Sequence, residues 1–336
     1  MRERTAKRIF DYETVASEAQ EVTVKNINPY LVDGPNLVLT SRSTPICAVP
    51  EIGIGNKPID DGNYLFSKSE MDVFVSREAK SKKWFRRFLS ADDLINAGER
   101  WCLFLKDCPP QELRSMPLVL QRVEAVRAFR LKSKSAPTRK LAETPTLFHV
   151  ENVPSRDYIG IPRHSSETRN YLQITRVEAS TILGDSCLLM REGGLYELGV
   201  LLSGMHMAWV RATCGRLESR YRYSKDIVYN NFPWPENPSE KTKAPIESAA
   251  QGVLEARAQF KEASLADLYD PLSMPSSLAK AHRALDAAVE AAYGKKSFAS
   301  DAERVAFLFT RYEALVAPLE AAAKKKSKKR KVAAGE

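Results

Sequence analysis

The stretch Cys214-Gly215-Arg216-Leu217-Glu218-Ser219-Arg220-Tyr221-Arg222-Tyr223-Ser224 runs on into Tyr229-Asn230-Asn231-Phe232-Pro233-Trp234-Pro235 and decides the reading of this chain. If residues 217–223 are extended, the two-residue strand period puts Glu218, Arg220 and Arg222 on one face. Leu217, Ser219, Tyr221 and Tyr223 then fall on the other. One face is charged and forked, and the other is able to pack. The charged face suits base edges, because Arg can bond bidentately to guanine O6 and N7 while Glu accepts from the cytosine amino group. The plainer alternative is a solvent-facing strand whose Glu and Arg pair with each other, as exposed sheet faces often do.

Working outward, Ser203 is placed to cap a helix over 204–213, immediately before this ribbon. Upstream, residues 61–235 mix the two periods. Ser69–Phe74 and Ala91–Ile95 read as helix starts with acidic first turns, and 110–131 as one helix with Leu118, Val123, Val126 and Phe129 on its apolar face. Strands are expected at Trp101–Leu105, Leu147–Val150, Tyr171–Ile174 and Cys187–Met190, and a short one at Leu37–Thr40. Residues 1–60 have few apolar side chains for a core of their own and are expected to dock on other structure. Past Pro233, Pro235 and Pro238 the pattern turns helical, with stripes at Ile246/Ala250/Val253/Leu254/Phe260, Leu278/Ala281/Leu285/Val289/Ala292 and Val305/Leu308/Tyr312/Leu315/Leu319. Ser300 with Glu303 fits a capping box for the last. The expected fold class is α+β: a mixed α/β domain followed by a small helical bundle.

Composition narrows the function. The 336 residues are 43% hydrophobic, enough for real cores. The net charge is +9, but residues 324–336 hold seven Lys/Arg and one Glu, leaving +3 for the rest. Charge alone therefore does not argue for nucleic acid, and the tail is expected to be disordered and nonspecific. Five cysteines without a CxxC pair fit a reducing, cytoplasmic setting rather than a disulfide framework or zinc site. Neither a secretory signal nor an apolar run long enough to span a membrane is present, so no membrane partner is expected.

The chemistry-bearing residues favour binding over catalysis. His206, between two methionines, reads as a packed histidine, and His164 lies in the polar loop Arg163–Arg169, which is either solvated or in contact with a nucleic acid. Gly53-Ile54-Gly55 is a lone GxG without a nucleotide-binding setting. No nucleophile–base pair, nuclease motif or metal cluster stands out, and no catalytic residue or bound cofactor is expected on this chain. Basic residues do cluster: residues 121–140 carry seven positive charges against one Glu. Arg130, Lys132, Lys134, Arg139 and Lys140, with Arg163, Arg169 and Arg216, are the candidates for phosphate contacts, which set affinity and register rather than sequence choice.

Several blocks together resemble the C-terminal part of the MmeI-like (type IIL) restriction–modification adenine methyltransferases. These are Lys25–Asn36 (KNINPYLVDGPN), Gly53–Pro58 (GIGNKP), Ser133–Ala142 (SKSAPTRKLA), Met205–Trp209 with GRLESRYRYS and NNFPWP, and Ser264–Leu272 (SLADLYDPL). The resemblance implies a target-recognition domain and a C-terminal helical part, without the family's Asn-Pro-Pro-Tyr-type, glycine-rich or nuclease motifs. It implies base reading by Glu218 and Arg220 with Arg222 beside them, and further readers at Asp185 and Ser186. The expected division is 1–60 as the edge of a methyltransferase domain and connector, 61–236 for target recognition, 237–323 helical, and 324–336 tail. The implied partner is double-stranded DNA, with a separate methyltransferase or nuclease chain as a further one. S-adenosylmethionine belongs to the implied parent enzyme. Two other readings stay open: a specificity subunit for a separately encoded catalytic chain, and a protein-interaction remnant that does not bind DNA.

Overall fold

The computed structural model describes residues 6–12 and 17–333, with side chains for all of these except Asp11 and 320–333. The part of the expected tail at 334–336 lies outside the described residues, and the backbone of 324–333 is helical where disorder was expected. Ala, Lys and Arg, which dominate that stretch, all favour helix.

An N-terminal antiparallel hairpin, β1 (Lys7–Asp11) and β2 (Gln20–Val24), precedes an irregular segment that leads to β3 (Ile52–Ile54). That segment docks through backbone and side-chain amides. The amides of Arg42 and Ile46 donate to Asp226 O and Asn230 O, and Asn230 and Asn231 donate to Arg42 O and Thr40 O. The expected strand at Leu37–Thr40 does not form, because Tyr30 Oη, which accepts from the Leu39 amide, and Asn231, which donates to Thr40 O, rather than a neighbouring strand, satisfy this backbone.

Next come β4 (Leu65–Ser67), α1 (Lys68–Arg77), β5 (Phe85–Leu89), α2 (Ala91–Ile95) and β6 (Arg100–Leu103). Ser67 with Glu70, and Ser90 with Asp93, make reciprocal capping boxes that start α1 and α2. The helix expected over 110–131 is broken into α3 (Pro110–Arg114) and α4 (Pro117–Leu131), since Pro117 disfavours a helical Met116. The buried face of α4 is Val119, Val123, Val126 and Arg130. A short α5 (Ala136–Lys140) follows.

Seven further strands and two helices complete this part: β7 (Tyr158–Pro162), β8 (His164–Ser165), β9 (Thr175–Val177), β10 (Thr181–Leu183), β11 (Cys187–Met190), α6 (Leu195–Leu202), α7 (Gly204–Thr213), β12 (Gly215–Leu217) and β13 (Arg220–Arg222), the last two forming a hairpin. The strands at Trp101–Leu105 and Cys187–Met190 form close to where they were expected. Val150 makes an isolated bridge to Lys57 in place of the strand expected at Leu147–Val150, and the strand expected at Tyr171–Ile174 begins later, at Thr175. Besides the first hairpin the sheets run β10-β5-β6-β4, β3-β11-β7-β9 and β12-β13-β8, with β10 and β5 the parallel pair. Gly55 allows β3 to meet the turn after β10, where an added Cβ would lie 2.1 Å from Gly184 O. The GxG therefore serves backbone packing and forms no nucleotide cradle.

The C-terminal helices are α8 (Glu240–Ala258), α9 (Leu265–Leu268), α10 (Ser276–Ala292) and α11 (Asp301–Ala333). Their buried stripes pack into the same core as α6, α7 and the Phe232–Trp234 segment. Ring contacts such as Trp209 to Phe309, 5.2 Å between centroids, cross from one part to the other. A second core gathers Phe66, Phe85, Phe88, Val119, Val123 and Val126 under the β10-β5-β6-β4 sheet. Among the described residues no helix is long and apolar enough to cross a membrane.

Candidate nucleic-acid interface

The ribbon is a hairpin rather than one strand. β12 turns into β13 through Glu218 and Ser219, and Leu217 pairs with Arg220, Arg216 with Tyr221 and Gly215 with Arg222. A two-residue turn puts the residues flanking it opposite each other on one face. Leu217 therefore joins Arg220 on the outer face, 47% exposed, and does not pack as expected. Glu218 is not on a strand at all. It sits at the turn with φ 57°, in the left-handed region where an L-residue costs roughly 1–2 kcal/mol. Glycine would suit that backbone better, so the turn itself does not explain the carboxylate.

The inner face is anchored through tyrosines. Tyr221 and Tyr223 are buried, and Tyr223 Oη lies 2.9 Å from Nε2 of the buried His206. Ser203 caps α7, its hydroxyl accepting from the His206 amide, and so sets the histidine under the hairpin. Burial in an apolar surround pushes the His206 imidazole down to about 3, which keeps it a neutral partner for the phenol. His206 is thus a packed histidine.

Outside, Arg220 and Arg222 are exposed, as strand alternation requires. Arg220 Nη2 donates to Glu218 Oε2 at 2.6 Å, so the carboxylate and guanidinium stand side by side. This is the pairing expected of a solvent-facing ribbon. It is also the arrangement that presents an acceptor next to a donor fork. Arg216 lies on the other face, its guanidinium 4.5 Å over the Tyr221 ring and Nη1 donating to Ser219 O. Glu167, whose carboxyl is held below its usual range by its own backbone amide, the Ser219 hydroxyl, and the charges of Arg216 and Arg220, faces the same turn.

Backbone bonds join the hairpin to the other candidate regions. β13 pairs with β8 on its free side, Tyr221 opposite Ser165 and Arg222 opposite His164. Beyond them, the Tyr223 amide donates to Arg163 O at 2.7 Å and the Arg163 amide to Ser186 O at 3.1 Å. The hairpin, the loop 163–169 and the turn 184–186 thus form one continuous strip, which sequence spacing alone could not assemble. Asp185 pairs with Lys57 at 3.3 Å and remains partly exposed. The Ser186 hydroxyl accepts from the Ala91 amide at 2.8 Å, so one of its lone pairs is already committed to the fold.

Several phosphate candidates have structural duties. Arg130 is completely buried on the apolar face of α4, donating to the carbonyls of Pro58, Ile59, Leu141, Thr144 and Leu147. It is a staple for the loops around it and cannot meet a phosphate. Its charge alone suggests a phosphate contact, but its position continues the Val119/Val123/Val126 stripe. Arg163 is half-buried, with Nη1 donating to Asp185 O, and Arg169 is half-buried, with Nη1 donating to Gln173 Oε1. Arg139 is exposed but closes its own loop through Ser133 O and Lys134 O. Lys132, Lys134 and Lys140 stay exposed around α5.

Lys57, Glu167 and the run Lys80, Lys82, Lys83, Arg86 and Arg87 are not among the expected site residues. Five basic residues within eight positions was the signal for that run, and their side chains are exposed beside and along β5. Among the described residues no group of His, Cys, Asp and Glu is arranged to hold a metal ion.

Comparison with known proteins identifies the family. The family model of the MmeI target recognition domain matches residues 33–236, and that of the MmeI C-terminal domain matches residues 238–320. DNA methyltransferase A of Bacillus subtilis (strain 168) is 38% identical over 290 residues, which are 86% of this chain and 33% of that protein. A solved structure of the type IIL restriction–modification enzyme MmeI in complex with DNA superposes with a TM-score of 0.86 at 44% identity, covering 93% of this chain and 42% of that one. The chain spans about a third of the length of the curated relative it matches.

Proposed function

The chain belongs to the MmeI family, and on that premise we propose that it reads a short sequence of duplex DNA as the target-recognition part of a site-specific adenine methyltransferase. The carrying observation is the hairpin. Its tyrosines are locked into the core while Arg220 and Arg222 stand outside beside the turn carboxylate of Glu218. A two-stranded ribbon fits the major groove, where Arg can take guanine and Glu the cytosine amino group of one G·C pair. Asp185, on the adjoining turn, extends the readout along the strip, with Ser186 beside it. Lys132, Lys134 and Lys140, with Arg139 and Arg216, supply sequence-independent attraction to phosphates.

Residues 61–236 serve recognition, 237–323 support them, and 1–60 connect to a methyltransferase domain in this reading. S-adenosylmethionine is held by that methyltransferase part and supplies the methyl group. In this chain's own GxG, Gly55 packs against Gly184 and Gly53 against the Asn152 side chain. The work takes place in the cytoplasm, where the DNA is.

The test is enrichment of a randomised duplex library by the purified chain at low and moderate salt, followed by sequencing. A retained motif with a fixed G·C pair is expected. Arg220→Ala should cost about 1–3 kcal/mol on that motif and relax one position. Equal losses on motif and scrambled DNA would rule out base reading by Arg220.

A further inference from the structure

We propose that His164 is a specificity-determining residue of this surface, its imidazole accepting a hydrogen bond from a base amino group (adenine N6 or cytosine N4) at, or one step from, the base pair contacted by Arg222. This rests on the reading of the hairpin as a DNA-recognition element.

The position follows from strand register. Gly215, Arg222 and His164 form one cross-strand row of the β12-β13-β8 sheet, and the row's side chains share a face. Arg222 is exposed and His164 half-buried, on the face opposite the buried Tyr221 and Ser165. Nothing lies within 4 Å of the place where a Cβ on Gly215 would be, so the row is open on its far side. Directly opposed side chains stand about 4.5–5.5 Å apart, comparable with the 3.4 Å rise of one base step. Two neighbours in such a row therefore reach the same pair or adjacent pairs.

The chemistry follows from what surrounds it. Arg220, Arg222 and Arg216 carry only donors, and the Glu218 carboxylate is engaged with Arg220. The carboxylate acceptors of this surface stand at the hairpin turn, whereas in the Gly215/Arg222/His164 row the acceptor is His164. His164 makes no side-chain hydrogen bond among the described residues. Desolvation, then the charges of Arg163, Arg222 and Arg220, hold its imidazole below the usual histidine range, so at neutral pH it keeps a lone pair.

The test compares library enrichment by the whole chain with that by His164→Ala and His164→Gln, each first shown to retain the wild-type thermal transition. Among the described residues the imidazole makes no hydrogen bond, so both are expected to fold. His164→Ala should lose about five- to tenfold preference at one base pair, at or beside the position relaxed by Arg222→Ala, with affinity for scrambled DNA changed less than about twofold. His164→Gln, whose amide still accepts, should restore much of the preference. Duplexes carrying purine for the preferred adenine, or 2-pyrimidinone for the preferred cytosine, should lose as much with the wild type and nothing more with His164→Ala. A wild-type motif unchanged by His164→Ala would overturn this inference while leaving the hairpin reading intact. Absence of any wild-type motif would overturn both.

Discussion

Arg130 shows why charge is not exposure. Its guanidinium replaces a core side chain and feeds five carbonyls, of which those of Pro58, Ile59 and Leu147 receive no backbone hydrogen bond among the described residues. Arg130→Met should cost about 3–5 kcal/mol by urea denaturation, since several buried acceptors lose their donors at once. Lysine, with three donors on one nitrogen, should not rescue it. The two buried histidines make a second prediction at this scale. His206 and His282 are both depressed to about 3, the first by burial, the second by burial and then by the Arg257 charge. Unfolded, each binds a proton near its ordinary value of about 6.5, so between those values the unfolded state holds more protons. Stability is therefore full above about pH 6.5 and falls as pH drops toward 3, by about 2 kcal/mol per histidine between pH 7 and pH 5. Asp286, raised by burial, acts in the opposite sense, since the folded state takes up its proton first. Urea titrations at pH 7 and pH 5 should show the net loss, and His206→Asn should reduce it.

At the scale of the element, the strand period placed Arg220 and Arg222 correctly but missed the turn between Leu217 and Arg220. Nothing in GRLESR marks a hairpin, because the favoured Asn-Gly and Asp-Gly signals are missing and glutamate takes the positive φ. Tertiary anchoring of Tyr221 and Tyr223 enforces the register that local propensity does not. The helix expected over 110–131 likewise broke where Pro117 made its local chemistry felt, whereas α7 starts at the expected Ser203 cap and α1 and α2 start near the expected Ser69 and Ala91, capped by Ser67 and Ser90. Another prediction belongs to the end of α4 and α5. Lys132→Ala or Lys134→Ala should weaken all duplexes alike and lower the slope of log affinity against log salt by about one per lost phosphate contact. Fluorescence anisotropy over a salt series checks this, and an unchanged slope would remove these lysines from the interface.

For the whole molecule, the recognition part and the C-terminal helices share one core. α6 lies close on α8, where an added Cβ on Gly199 would meet Ile246 Cγ2 at 2.7 Å. Asp286 on α10 accepts from the Gly204 amide at 2.6 Å and from Tyr171 Oη at 2.7 Å, and Arg257 Nη1 donates to Ile174 O at 2.9 Å. Arg211 pairs with Asp301 across the same boundary. A chain ending at Glu236 would expose these faces and leave their polar partners unpaired. It should lose the cooperative urea transition and the near-ultraviolet circular dichroism of the full chain, although the family models divide close to that residue.

The amino-acid sequence by itself determined the class of fold, the helical stripes of the C-terminal part, the caps that start several helices, and the alternation that sends Arg220 and Arg222 outward. These are local properties, set by side-chain period and by hydrogen bonds within a few residues. Only the tertiary structure decided that Arg130 is a buried staple, that Arg163 braces the Asp185 turn, and that His164 stands beside Arg222. Those outcomes depend on which distant segments meet, and a carbonyl 72 residues away or a strand partner 58 positions along leaves no mark on the spacing of the residues it will engage.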